Sequence, residues 1–342
     1  MKRILISLLC LLMIGELAAQ DPQFSQYYQA PLYLNPGFTG ITPQQRLVVN
    51  HRVQWPNLPQ AFSTYAASYD IFVDELRSGF GILATTDKMG SAGWRTTTAG
   101  LLYSFKVKLT DNIVFSPGLY FGYGTNGLDR NLLTLGDGLE FQGQSLDPEL
   151  NKLGRQDYFD FGSGFLFYNR NLWLGAAFHH MNQPNLSVLG DVSRLPMKTS
   201  IHGGARLSLY NGPRTLAKVS YLTPSFILRK QGKSFTQLDV GINYHIDPVS
   251  VGFWYRGKPF EKTVINSVAQ DALILSLGMY FKNLSVGYSY DFTVSELQTA
   301  GGGAHEIALT YEFVAKPLNR NIKRKYRMIP CPSFNSKEGF WN

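Results

Sequence analysis

His179 and His180 are the one adjacent histidine pair in the 342-residue chain, and the first place to look for a metal ligand set or a general base. Neighbours on an extended strand point to opposite faces, so two such rings would not hold one ion together. The pair is expected at the edge of a loop near an interface, with no metal. No G-x-S-x-G is present, and the scattered serines and six histidines set no nucleophile, base and orienting group in register. Gly301-Gly302-Gly303 leads into a strand-like run rather than a helix, which makes it a turn and not a phosphate cradle. The chain is therefore expected to be no enzyme, with no catalytic residue and no cofactor.

One charged constellation remains, Arg320, Lys323, Arg324, Lys325 and Arg327, followed by Cys331 and Phe334. Of the net charge of +8, the first 20 residues carry +1 and residues 315–342 carry +6, which leaves +1 for everything between. The basic balance thus describes a tail and not a nucleic-acid surface. Such a tail has a bland reading as a solvated, disordered end. The interleaved Tyr326, Met328, Ile329, Phe334, Phe340 and Trp341 favour docking on a partner instead.

The elements that would position these residues begin after a leader. Lys2 and Arg3, an apolar run from Ile4 to Ile14, and Ala18-Ala19 make residues 1–20 a secretory signal peptide with cleavage before Asp21. The apolar run is too short for a spanning helix, which needs about 20 residues. Without the leader Cys331 is the sole cysteine, so an exported fold must do without an internal disulfide.

Residues 44–314 alternate with period two. Phe159, Phe161, Phe165 and Phe167 oppose Asp160, Gly162 and Gly164. Val249, Val251, Phe253 and Tyr255 oppose Ser250, Gly252, Trp254 and Arg256. Leu284, Val286, Tyr288, Tyr290 and Phe292 oppose Ser285, Gly287, Ser289 and Asp291, and Ile307, Leu309, Tyr311 and Phe313 oppose Glu306, Ala308, Thr310 and Glu312. Each run is a strand with one apolar face and one small or polar face. A soluble sandwich also alternates, but here the apolar faces end in aromatics, as a membrane-interface girdle requires. With 14% aromatic and only 16% charged residues, the body suits lipid better than water.

The spacing of connections decides the architecture. Short links at 73–77, 108–112, 169–171, 211–214, 246–248 and 282–283 alternate with longer ones at 55–60, 87–93, 126–156, 182–197, 224–234, 257–269 and 294–301. Periplasmic turns and extracellular loops of an outer-membrane barrel alternate in this way, and the links separate about fourteen strands, an even number. The expected fold is all-β, a transmembrane antiparallel β-barrel of about 14 strands. Residues 315–342 form its basic periplasmic tail, and Phe161 and Leu275 are expected near mid-bilayer.

Residues 21–43 do not alternate. Pro22, Pro31 and Pro36 break any ladder, yet Phe24, Tyr27, Tyr28, Tyr33, Leu34 and Phe38 are too apolar for a linker. This is read as a plug or periplasmic lid, with Asn35-Pro36-Gly37 as the turn back to the first strand at Arg46. Inward glycines (Gly118, Gly122, Gly162, Gly164, Gly175, Gly241, Gly252, Gly278, Gly287) leave either a channel or space for this plug. A barrel of this strand number is wider than its own side chains close, which favours filling.

The run Asp21-Pro22-Gln23-Phe24-Ser25-Gln26-Tyr27-Tyr28, with Pro31 to Gly40, resembles the opening signature of the PorP/SprF family of type IX secretion system membrane proteins. Asn50 to Pro56, Ala61-Phe62, Ala67 to Asp70, and the ending Cys331-Pro332-Ser333-Phe334 are similar to further blocks of that family, although this chain continues to Asn342. The resemblance implies a non-enzymatic component of type IX protein secretion and gliding motility in the outer membrane of a Gram-negative bacterium. Its implied partners are periplasmic secretion-apparatus subunits, a secreted surface adhesin with a matching C-terminal signal domain, and outer-membrane lipid. The competing expectation is a passive transport channel, either a porin or a hydrophobic-substrate channel.

Overall fold

A computed structural model of the chain describes residues 21–42, 45–58, 61–90, 93–128, 155–188, 191–209, 220–232, 235–262, 268–294 and 301–313. The expected leader and the basic tail with Arg320, Lys323, Arg324, Lys325, Arg327, Cys331 and Phe334 lie outside the described residues. So do the middle of the 126–156 link and the short link at 211–214.

Fourteen long strands follow one another: β1 (Arg46–Gln54), β2 (Phe62–Val73), β3 (Ser78–Met89), β4 (Trp94–Phe105), β5 (Val114–Leu128), β6 (Arg155–Tyr168) and β7 (Leu172–His179), then β8 (Lys198–Ala205), β9 (Ser220–Gln231), β10 (Phe235–Ile246), β11 (Val249–Lys262), β12 (Val268–Phe281), β13 (Leu284–Thr293) and β14 (Ala304–Glu312). Each pairs antiparallel with its neighbours in sequence. β1 pairs with β14, from Arg46 opposite Glu312 to Gln54 opposite Ala304, and this closes the ring. Closure removes the edge strands whose unpaired N–H and C=O groups lipid cannot satisfy. No helix among the described residues is long and apolar enough to cross a membrane; the strands do so.

The two faces fall as the alternation requires. Phe159, Phe161, Phe253, Phe292 and Ile307 are exposed on the outside, while Asp160, Arg256, Asp291 and Glu306 are buried inside. Strand ends differ from expectation at three links. β3 continues to Met89, β9 to Gln231 and β11 to Lys262, so the connections expected at 87–93, 224–234 and 257–269 are shorter than their polar composition implies. Cross-strand pairing outweighs that composition: Asp87 sits opposite Thr64 and Thr96 within the sheet.

Pro224 shows how a turn-forming residue is held in a strand. It pairs with Ile242 on β10, while on its other side the β8–β9 ladder lapses at Ala205 and Arg206, between Gly204 and the short continuation Leu207–Ser208. Pro117 in β5 faces the same kind of lapse at Phe105 and Lys106, between Ser104 and the continuation Val107–Lys108. Proline offers no N–H, so it is tolerated where one neighbour's ladder is interrupted.

The core of the molecule is the lumen, and residues 21–42 are at its centre. Tyr27, Leu34, Phe38 and Ile41 pack with Leu166, Tyr168, Trp173 and Trp254. Leu32 packs with Leu83, Leu102 and Tyr120, and Phe24 and Ala30 with Ala66. Phe161→Arg or Leu275→Arg puts a charge on the lipid face and is expected to cost about 2–4 kcal/mol, read as loss of the heat-modifiable barrel band on gels. Gly287→Ala is expected to keep that band but loosen the plug, because a Cβ there collides with the side chains of Gln29 and Gln26. Equal loss of the band at outward and inward positions would reject this assignment of the faces.

Candidate functional site

The candidate site is the plugged lumen. Within the plug, a 3-10 turn at Tyr27–Gln29, one helical turn at Pro31–Leu34 and a second 3-10 turn at Pro36–Phe38 succeed one another. Pro31 and Pro36 open their turns, where the missing N–H has no intrahelical partner to lose. The turns satisfy much of the backbone locally, as in Leu34 N to Ala30 O at 3.0 Å and Thr39 N to Pro36 O at 3.1 Å.

Asn35 joins the two halves of the plug and is fully buried. Its Oδ1 accepts from Gly37 N at 2.8 Å and caps the second 3-10 turn. Its Nδ2 reaches the Phe165 and Ala176 carbonyls at 3.0 and 3.1 Å and lies 3.0 Å from His202 Nε2. Gly164 lies against it, and Gly118 lies against the backbone of Pro36 and Gly37, so a Cβ at either wall position would collide with the plug. Other inward glycines make room for the wall's own large side chains: Gly122 for Tyr120, Gly175 for His202 and Gly241 for Trp254. The small inward residues thus accommodate both the plug and the bulky side chains around it.

Charged groups anchor the plug near both ends of the barrel. At the long-link end, Ser25 N and Gln26 N donate to the two Glu306 carboxylate oxygens at 2.7 and 3.0 Å. Ser25 Oγ donates to Asp291 at 2.6 Å and accepts from Arg52 and Arg256 at 2.7 and 2.9 Å. Arg52 and Arg256 both pair with Asp291, and Arg256 and Arg229 both reach Asp239. Three guanidinium groups and three carboxylates form one buried arc over β9, β10, β11, β13, β14 and β1. At the short-turn end, Lys106 Nζ donates to the Gly37 and Thr39 carbonyls at 3.1 and 2.8 Å. There Asp70 accepts from Gly40 N while pairing with Arg46.

The first plug residue is held at the long-link end. Asp21 lies 2.7 Å from His180 Nε2 and 3.2 Å from Lys198 Nζ. His180 Nδ1 also stands 3.0 Å from Asp160, an ion-pair contact poorly angled for a hydrogen bond. Burial alone would lower the His180 pKa, but the Asp21 and Asp160 carboxylates outweigh it and raise it to about 9. Burial alone would raise the Asp21 pKa, and His180 and Lys198 hold it well below the usual carboxylate range.

All the expected plug residues reach the lumen. Phe24, Tyr27, Asn35, Pro36 and Phe38 are buried, while Tyr28 and Tyr33 are partly so. Tyr27 and Tyr28 pack on Trp254 with ring centroids 5.3 and 5.8 Å apart, and Phe38 stacks on His202 at 5.3 Å. The histidine pair stands at the end of β7 where the loop begins, as expected, but its two rings do not face opposite ways. His180 has φ of +57°, which breaks the alternation. His179 reaches Leu34 O at 3.3 Å, His180 reaches Asp21, and both rings serve the plug. The charged arc was not anticipated, although arginines and carboxylates on the small, inward face of successive strands were its signal.

The latch between Asp21 and His180 gives a pH dependence. His180 has its pKa raised, so its contribution is complete below the ordinary histidine value of 6.5 and is lost as pH rises through about 9. The protection factors of the Gln23 and Phe24 amides, taken against the base-catalysed intrinsic exchange rate, are expected to fall over that rise, and His180→Gln to remove the step; protection that does not change with pH in the native protein would reject the latch. Replacing Phe24, Tyr28 and Phe38 together by Ala removes aromatic packing worth about 3–5 kcal/mol for each fully packed ring. The barrel should still fold, since its ladder closes without them, but conduct ions in planar bilayers where the native protein does not. A folded triple variant that stays impermeable would make the segment a passive leader.

Residues 16–311 match the family described as Type IX secretion system membrane protein PorP/SprF. No curated protein matches the chain. Among solved structures the chain is similar to the P. putida toluene transporter TodX, with 11% identity over 83% of this chain and 94% of that one and a TM-score of 0.47. It is similar to the Ralstonia pickettii toluene transporter TbuX, with 11% identity, coverage of 84% and 94% and a TM-score of 0.45. It is also similar to the KdgM porin in complex with disordered oligogalacturonate, with 8% identity, coverage of 79% and 99% and a TM-score of 0.38. Likeness at this level carries no argument about transport. The family match runs from before the plug through most of β14 and takes in the segment that fills the lumen, so the chain belongs to the PorP/SprF family of type IX secretion system membrane proteins.

Proposed function

We propose that this protein is a non-enzymatic barrel of the type IX secretion and gliding machinery, exported by its leader to the outer membrane, where it engages other proteins instead of passing solutes. The observation that carries this reading is the filled lumen. The segment with the family's opening signature is buried over most of its length and tied to the wall by a charged arc at one end and Lys106 at the other. A passive channel needs a continuous wet path, and a plug packed to this degree weighs against one.

In this reading the short-turn end faces the periplasm, with the barrel's first and last strands beginning and ending there. Phe313 N, bonded to Gln45 O at 2.9 Å, closes the barrel at that face. In the same reading residues 315–342, which follow β14 in sequence, engage periplasmic apparatus subunits through their basic and aromatic residues. The long-link end faces outside and meets a secreted surface adhesin through its C-terminal signal domain.

Crosslinking and pull-down of the intact protein from outer membranes is expected to recover apparatus subunits, one such adhesin, or both. Removal of residues 315–342 should abolish recovery of the periplasmic subunits and leave the barrel folded. A tag in the 126–156 link should be labelled on intact cells, and a tag after Trp341 should not. Recovery of the barrel alone, together with steady conductance of the native protein in planar bilayers, would reject this reading in favour of a channel.

A further inference from the structure

The lipid-facing surface of β3 to β6 carries a row of cations at its long-link end. Strand register sets Lys88 on β3 opposite Arg95 on β4, Arg95 opposite Gly127 on β5, and Gly127 opposite Arg155 on β6. All three cations are exposed, and they share the outward parity of the exposed Ile82, Leu101 and Phe159 on the same strands. Neighbouring strands stand about 4.8 Å apart, so the row runs for roughly 14 Å. Arg155 pairs with Asp157 at 3.1 Å, whereas Lys88 and Arg95 make no ion pair among the described residues. Like charges directly opposite one another on a sheet repel, and an anion lying across the row would offset that repulsion.

Toward mid-barrel the chemistry of the same face changes in steps. One outward position below the cations is a row of hydroxyls, with Thr86 opposite Thr97 and Thr97 opposite Thr125, and the first two hydroxyls lie 3.3 Å apart. One position further down, Ala67, Ala84 and Ala99 stand side by side across β2, β3 and β4. Larger side chains border these alanines, with Tyr123 and Phe159 beside them and Ile82 and Leu101 below. The difference in size leaves an open apolar hollow of about 770 Å³ on the lipid face. It extends from Leu47 on β1 to Phe161 on β6, five strand spacings or roughly 24 Å. That width holds several acyl chains side by side.

We propose that this face binds one lipid of the outer leaflet, a phosphorylated glycolipid with several acyl chains. Its phosphates accept from Lys88, Arg95 and Arg155, its sugar and ester oxygens meet the threonine row, and its chains lie in the hollow. A phospholipid with one phosphate and two chains covers only part of the row and part of the hollow, whereas two phosphates on a disaccharide reach along both. The order of the bands, charge toward the rim and apolar surface toward mid-barrel, is the order of groups in such a lipid. Assignment to the outer leaflet rests on the topology proposed above, in which the long-link end faces outside. Binding to the purified protein does not rest on it.

The test uses the purified full-length barrel in a detergent with a neutral headgroup, with diphosphorylated lipid A as the probe and native mass spectrometry as the readout. One retained lipid A per barrel is expected, with monophosphorylated lipid A and phosphatidylglycerol each held more weakly by about tenfold or more. The double variant Lys88→Gln with Arg95→Gln is expected to weaken retention of lipid A by about tenfold or more. Both side chains are exposed, so its heat-modifiable band should not change. Ala84→Phe keeps the charges, fills the hollow and should weaken retention as well. Lys230→Gln removes an exposed cation near the long-link end of β9, away from the row, and should leave retention unchanged. Absence of retained lipid A, equal retention of the three lipids, equal losses in Lys230→Gln and the double variant, or unchanged retention in the double variant or in Ala84→Phe would overturn the proposal. Retention as expected, with a tag in the 126–156 link that is not labelled on intact cells, would keep the binding site and overturn its placement in the outer leaflet.

Discussion

A ring of fourteen strands encloses more space than its inward side chains can fill, and much of this molecule follows from that excess. Lipid forbids unpaired backbone groups on the outside, so the ring must close. Once closed, it holds a lumen that must be wet or packed. This chain packs it with its own residues 21–42, which take no part in the ladder and satisfy themselves by successive turns. The wall is shaped to match: glycine stands where the plug backbone passes closest, at Gly79 against Thr39 and Gly118 against Pro36.

Packing a peptide into a polar lumen raises a second difficulty, because each buried N–H, carbonyl and charge needs a partner. The arc of Arg52, Arg229, Arg256, Asp239, Asp291 and Glu306 meets it by being balanced in charge and directed at the plug backbone. Replacing such a network by apolar groups of equal volume need not destabilise a protein, whereas removing one member strands a buried charge at about 3–5 kcal/mol. What the arc contributes most clearly is therefore position. Glu306 accepts from two consecutive plug amides, and the Ser25 hydroxyl fits between two guanidinium groups and a carboxylate. A register shift of one residue along the plug would break these contacts together.

Much of this was legible from residue types and spacing. Period-two alternation identified which side chains face lipid, as Phe159 and Phe253 show, because each strand is buried on one face by the lumen and bathed on the other. The plug was legible because prolines and aromatics coincide there and fit neither a strand nor a linker. Strand ends were less so. Asp87 and Pro224 look like loop residues in isolation and are held in strands by their neighbours' pairing. His180 could not be placed by alternation, since its left-handed backbone turns it to the same side as His179. The charged arc joins strands from residue 52 to residue 306, and pairing over such separations is visible only once the ring is closed.

Anchoring near both ends also constrains how the plug can move. Its charged contacts at residues 25 and 26 and its carbonyl contacts at residues 37 and 39 lie on opposite sides of the Asn35 junction. Opening at one end alone leaves the other seated, so a full path through the barrel requires both to release. A ligand shifts such an equilibrium only by its differential affinity for the two states, and moving it from 1:99 to 99:1 takes about 5.5 kcal/mol. A partner touching only one end would have to supply that difference through contacts made solely with the displaced plug. The arrangement therefore favours a barrel that stays closed.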